Sequence, residues 1–128
     1  LSQAKPIIMV CDDEHDLLNL FKAALGKKYD ILLADSGQKC IETYIREKQN
    51  GKRVDVLLLD YKLGDMLGDV VACKISQLNG VKTIMISAYD LDDTMVRDLI
   101  DRKCIIDILK KPIRLPAMLQ KIEQVLGR

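Results

Sequence analysis

Asp12 and Asp13 follow the apolar run Ile7–Cys11, Asp60 follows the run Val54–Leu59, Ser87 closes the run Thr83–Ser87, and Lys110-Lys111-Pro112 follows the run Ile105–Leu109. If these runs are neighbouring strands, three carboxylates converge, and each like-charge pair costs roughly 4 kcal/mol at an effective dielectric of about 20. A hard divalent cation offsets that repulsion, because Mg²⁺ accepts carboxylate, backbone carbonyl and water oxygens and commonly takes substrate phosphate as well. Ser87 has a hydroxyl to donate to a phosphoryl oxygen, Lys111 brings a compact positive charge to the same group, and Asp60 is then placed as nucleophile. The set reads as a phosphoryl-transfer site. Taken singly, each residue has an ordinary alternative: Asp12 and Asp13 as a turn or helix cap, Asp60 as an Asx turn, the lysine as a solvated loop residue. Their coincidence at the ends of four runs is what distinguishes the functional reading.

That coincidence requires the runs to share one edge. Five short aliphatic or β-branched runs, the four above and Asp30–Ala34, alternate with segments of helical period, the pattern of a parallel sheet covered by helices. Val54–Leu59 is apolar almost throughout, as a central strand buried on both faces should be. Leu17, Leu20, Phe21, Ala24 and Leu25 make one amphipathic stripe, and Met95, Val96, Leu99 and Ile100 a shorter one. A second helix is expected after Ser36, with Ile41, Tyr44 and Ile45 inward. A third carries Val71, Ile75 and Leu78 up to Asn79-Gly80, and a last carries Leu115, Met118, Leu119, Ile122, Val125 and Leu126. Asp90, Asp92 and Asp93 suit the start of the fourth helix. The expected architecture is α/β: a doubly wound, five-stranded parallel sheet of flavodoxin-like order 2-1-3-4-5 with helices on both faces. Ligands of such sheets bind outside the carboxyl ends of the strands, which is where the acidic residues fall.

The chain of 128 residues is expected to form one domain over 1–128, residues 1–5 being a linker or processing remnant. With 48% of its residues apolar, it can bury about two-thirds of its unfolded surface without a staple. Twenty Lys and Arg against nineteen Asp and Glu leave a net charge of +1, which gives no electrostatic reason to expect nucleic acid or anionic lipid as a partner. The longest apolar run has five residues, far short of the about 20 that span a bilayer. A soluble, cytoplasmic protein is expected. Cys11, Cys40, Cys73 and Cys104 form no Cys-x-x-Cys pair and no zinc spacing, so they are expected to be reduced, buried thiols.

Over nearly its whole length the chain resembles response-regulator receiver domains. The motifs that carry the resemblance are Met9-Val10-Cys11-Asp12-Asp13-Glu14, Leu58-Leu59-Asp60 with the following Tyr61 to Gly68, Ile86-Ser87-Ala88, and Leu109-Lys110-Lys111-Pro112-Ile113. The resemblance implies a two-component phosphorelay in which a sensor histidine kinase or histidine phosphotransfer protein passes a phosphoryl group to Asp60. It implies Mg²⁺ (or Mn²⁺) on Asp12, Asp13, Asp60 and the backbone carbonyl of Lys62, with Ser87 and Lys111 holding phosphoryl oxygens. Lys111 is chosen over Lys110 because the family's lysine directly precedes a proline, through a cis bond. An aspartyl phosphate adds charge where Asp60 had one negative unit, and so biases a two-state equilibrium toward a downstream effector, an output domain or a phosphorylation-dependent dimer.

The sequence departs from the family at two places. Ile108 stands where an aromatic rotamer switch is common, so the face of the fourth helix, fifth strand and fifth helix is expected to respond through backbone and packing shifts. Gly64 replaces the usual proline after Asp60. Lys62 and Tyr89 are expected to flank the phosphoryl group and slow its hydrolysis, and His15 to be a solvated first-turn residue. Three other classes fit the sequence less well. A non-phosphorylated docking module would normally have lost part of the acidic set or the lysine; a flavin or dinucleotide carrier lacks its phosphate loop; an Asp-x-Asp phosphatase lacks its spacing.

Overall fold

A computed structural model describes residues 4–127, so most of the expected amino-terminal remnant, residues 1–3, lies outside the described residues. Five strands, β1 (Ile7–Cys11), β2 (Asp30–Ala34), β3 (Val56–Asp60), β4 (Lys82–Ser87) and β5 (Asp107–Lys110), alternate with five helices. These are α1 (His15–Leu25), α2 (Gly37–Gln49), α3 (Gly68–Ser76), α4 (Asp93–Asp101) and α5 (Leu115–Leu126). All strand pairings are parallel and the order is β2-β1-β3-β4-β5. The expected fold class is the observed one.

Side-chain alternation along the central strands divides the core in two. Met9, Cys11, Leu57, Leu59 and Met85 pack with Ile41 and Tyr44 of α2, Val71 and Ile75 of α3, and Leu99 of α4. Ile8, Val10, Val56, Leu58, Ile84 and Ile86 face the other way, against Leu18, Phe21 and Leu25 of α1 and Met118 and Ile122 of α5. All residues of β3 are buried, as expected for the middle of a doubly covered sheet. Ser36 caps α2 by accepting from the Lys39 N–H at 3.1 Å, and Asp92 caps α4 by accepting from the Thr94 N–H at 3.1 Å.

Several expectations shift in detail. Val54 and Asp55 precede β3, where the Asp55 carboxylate accepts from the Ile7 N–H at 2.8 Å, and Asp60 is the last residue of the strand itself. Strand β5 starts late because Cys104 and Ile105 still cap α4, both N–H groups pointing at the Leu99 carbonyl at 2.9 and 3.4 Å. In α1, Leu18 rather than Leu20 enters the core, and in α4 only Leu99 does.

The cysteine expectation is corrected. Cys73 and Cys104 are joined in a disulfide with Cα atoms 4.6 Å apart, whereas Cys11 and Cys40 are free and buried. Their spacing of 31 residues is one strand-helix unit, and tertiary packing sets α3 beside the turn that leaves α4. No linear spacing rule registers that proximity.

Candidate functional site

The carboxyl ends of β1, β3 and β5 bring the acidic residues and one lysine together. Asp12 is the first residue beyond β1, and its Oδ1 accepts from the Glu14 N–H at 2.9 Å, an Asx turn that leads into α1. Asp12 is 1% exposed and Asp60 6%, while Asp13 faces solvent. One oxygen from each of the three carboxylates lies within 4.8 Å of the others.

Lys111 reaches into this group from the end of β5. Its Nζ is 3.2 Å from Asp12 Oδ2, 3.5 Å from Asp60 Oδ1 and 3.7 Å from Glu14 Oε1. Strand parity explains the choice between the two lysines: Leu109 belongs to the α1/α5 core, so Lys111, two residues on, points to the same side. Lys110 points away and pairs with the exposed Asp90. The Lys111–Pro112 peptide is cis, and the Lys111 N–H donates to the Ser87 carbonyl at 2.8 Å.

One ammonium does not balance this many carboxylates in a desolvated corner. Burial pushes the Asp60 pKa up, the neighbouring Asp12 carboxylate adds to it, and Lys111 pulls back, leaving the group at about 6. Burial opposes the charge on Lys111, yet the carboxylates of Asp12 and Asp60 raise its pKa above the usual lysine range. A clustered, all-oxygen donor set with surplus negative charge fits a hard divalent cation.

The remaining residues of the expected site are placed differently. Ser87, 3% exposed, is engaged with its own loop: its Oγ accepts from the Tyr89 N–H at 3.0 Å and donates to the Tyr89 carbonyl at 3.1 Å. Lys62 sits in a bridge with Leu67, and its side chain turns to Tyr89, with Nζ 3.5 Å from the phenol oxygen and 4.8 Å from the ring centroid. Lys62 and Tyr89 are thus partners of each other at the rim. His15 Nε2 lies 3.1 Å from Asp35 Oδ2, outside the acidic group.

Two glycines make the loop after Asp60 fit. Gly64 has φ +81°, which the usual proline could not adopt, and a Cβ there would approach Asp13 Oδ2 at 3.8 Å. At Gly68 a Cβ would meet the Asp60 carbonyl oxygen at 2.6 Å and Tyr61 Cα at 2.9 Å, so only glycine lets α3 start this close to the Asp60 backbone.

Sequence reasoning missed Asp65 and Glu14. The Asp65 carboxylate accepts from the Gln38 and Gly37 N–H groups at 3.0 and 2.9 Å, bonds that hold its pKa below the usual carboxylate range and tie the β3–α3 loop to the start of α2. The available signal was that α2 has no acidic residue in its own first turn. Glu14 reaches Lys111 only through the tertiary fold and left no signal.

A parallel α/β sheet with an acidic corner and a lysine at its carboxyl edge has the donor set of a phosphoryl-transfer site. The chain belongs to the response regulator receiver domain family, whose pattern it matches over residues 8–123. It is thus a receiver domain of two-component signalling, and Asp12, Asp13 and Asp60 form the acidic group typical of the family's phosphoacceptor site. A signal receiver domain from Vibrio parahaemolyticus is 26% identical with a TM-score of 0.84, covering 97% of this chain and 92% of that one. A response regulator receiver domain protein (CheY-like) from Methanospirillum hungatei is 24% identical, TM-score 0.82, over 97% and 95% of the two chains. The fold is shared as well by the CheX-CheY-BeF3-Mg complex of Borrelia burgdorferi at 20% identity, TM-score 0.84, over 96% and 90%. A comparison with curated proteins returned no match. No helix among the described residues is long and apolar enough to cross a membrane.

Proposed function

We propose that Asp60 is the phosphoacceptor, taking a phosphoryl group from a phosphohistidine of a sensor kinase or histidine phosphotransfer protein in the cytoplasm. A carboxylate oxygen of Asp60 forms the new O–P bond as the P–N bond of the donor breaks and leaves its electron pair on the imidazole nitrogen. The observation that carries this reading is the placement of Asp60 within 4.8 Å of Asp12 and Asp13 oxygens and 3.5 Å from the Lys111 ammonium.

Asp12, Asp13, Asp60 and the Lys62 carbonyl would hold Mg²⁺, and the bound cation would neutralise phosphoryl oxygens and orient them for in-line attack. Lys111 exchanges a carboxylate oxygen for a phosphoryl oxygen, keeping its charge paired throughout. Ser87 reaches the same group by leaving its turn with Tyr89, so phosphorylation breaks the two hydrogen bonds that close the β4–α4 loop. That exchange supports a switch that reads out through α4, β5 and α5 to an effector, an output domain or a second copy. Beside the site, a groove of about 410 Å³ lined by Leu17, Leu20, Ile113 and Leu115 together with Glu14 and Lys111 offers a docking donor apolar contact.

Incubation with Mg²⁺ and acetyl phosphate should add one phosphoryl group by intact mass, and Asp60→Asn should add none. Undiminished modification of the Asn variant, or equal modification in chelator, would overturn the assignment.

A further inference from the structure

The four cysteines of this chain fall into two adjacent pairs on one face of the sheet. Cys11 and Cys40 are buried thiols beside each other, and the hydrogen bond with Cys40, followed by burial, pushes the Cys11 thiol far above the range in which it ionises. The other pair differs in access and in what it connects. Cys104 is 3% exposed, but Cys73, on α3, is only half-buried.

Cys104 is built into the end of α4. The Lys103 N–H donates to the Ile100 carbonyl and the Cys104 N–H to the Leu99 carbonyl, both at 2.9 Å, which is a Schellman closure. Lys103 takes the left-handed position at φ +61°, where glycine is usual, so the turn is held at a cost of about 1 kcal/mol. Leu99 is also the one α4 side chain buried in the core. A bond from Cys104 to α3 therefore gives α4 a second anchor beside its first. The segment between the two cysteines contains β4, Ser87, the Ser87–Tyr89 turn and α4.

We propose that Cys73 and Cys104 are a reversible thiol–disulfide couple, exchanging with a low-molecular-weight disulfide such as glutathione disulfide, whose oxidised form clamps α4 to α3 and disfavours the phosphorylated arrangement. The coupling rests on the phosphoacceptor reading above; the couple itself does not. In the exchange, the more accessible Cys73 thiolate attacks one sulfur of glutathione disulfide and releases a glutathione thiolate. The Cys104 thiolate then attacks the Cys73 sulfur of the mixed disulfide and expels the second. Two protein thiols lose two electrons and two protons, and one glutathione disulfide gains both to become two glutathione molecules. Both cysteines belong to the core that α2, α3 and α4 cover, and the core on the opposite face of the sheet contains neither.

The test poises the whole chain in glutathione buffers of graded ratio, traps the thiols by alkylation and maps the peptides. Beryllofluoride binding with Mg²⁺ is then measured on the oxidised and reduced forms. A Cys73–Cys104 cross-link that opens and closes with the buffer is expected, with affinity for beryllofluoride at least about fivefold weaker in the oxidised form, the lower end of typical coupling. By reciprocity, saturating beryllofluoride should shift the oxidation midpoint toward reduction by the same factor. Cys73→Ser, at the half-buried position, should bind like the reduced parent in every buffer. A cross-link that never opens, one that maps to Cys11 or Cys40, or a redox response retained in Cys73→Ser would overturn the couple. Equal binding by the two forms of the parent overturns only the coupling, whereas failure of both to bind means that the phosphoacceptor reading has failed and the coupling with it.

Discussion

At the acidic rim, Asp12, Asp60 and Ser87 are all buried, Gly68 lets α3 press against the Asp60 backbone, and Asp65 ties the following loop to α2. Across the sheet, α4 sends only Leu99 into the core, and Ile100, Ile106 and Ile108 are 41%, 41% and 36% exposed. The contrast matches two tasks. A nucleophile and its charge partners must be held to within about half an ångström to be productive, which requires surrounding backbone to leave them no freedom. A face that changes on phosphorylation must have alternatives at low cost, and sparse burial supplies them. The Ser87–Tyr89 turn lies between the two regions and belongs to both.

The contrast breaks most completely at Asp60, the proposed phosphoacceptor. Asp60→Asn should reduce phosphoryl uptake below detection by intact mass while the far-ultraviolet circular dichroism of the fold is retained. Next in size is packing at the rim. Gly68→Ala places a methyl group against immovable backbone and should cost about 1–3 kcal/mol in chemical denaturation, while Ile108→Ala on the open face should cost less than about 0.5 kcal/mol. Similar costs at the two positions would remove the distinction drawn between the regions.

A third test uses proton linkage. In the unfolded chain Asp60 titrates near about 3.9, and in the metal-free fold it is pushed up to about 6, first by burial and then by Asp12. Between those values the folded state holds more protons than the unfolded, so stability is greatest below the lower value and falls as pH rises through the upper one. Metal-free Asp60→Asn lacks this loss and should gain on its parent between about pH 4 and pH 7, by about 3 kcal/mol at most. Addition of Mg²⁺ at neutral pH should return most of the difference to the parent, read as a rise in Tm.

Smaller effects sharpen the comparison at its border. Tyr89→Ala removes the partner of Lys62 and opens the rim, and the acyl phosphate should then hydrolyse severalfold faster; an equal or longer lifetime argues against shielding. On the far face, amide chemical shifts of residues 106–110 should move on beryllofluoride binding although Ile108 offers no aromatic rotamer to flip. Shifts confined to the rim would show that the signal stops at the Ser87–Tyr89 turn.

Much of this was legible before folding. The bounds of β1 and β2 and the residues of the acidic corner follow from hydrophobic period and from the rule that parallel strands end on one edge, whereas the strand order follows only from likeness to flavodoxin-like sheets. Less legible were the features with long-range causes. Leu20 has the same type and period as its neighbours, yet lines an open groove, because the angle at which a helix crosses the sheet is not written in its own period. The loop after Asp60 read as one of unknown stiffness, and only backbone geometry shows that Gly64 adopts a conformation closed to proline.

The sequence by itself determined which residues collect at the carboxyl edge, since strand ends, charge and parity are local properties propagated by a regular sheet. Tertiary structure alone decided how those residues are engaged: Lys111 between Asp12 and Asp60, Ser87 closed onto Tyr89, and Cys73 bonded to Cys104 across one strand-helix unit. The physical reason is range. Periodicity fixes which way a side chain points, whereas the partner it meets is fixed by the packing of elements that no window along the chain contains.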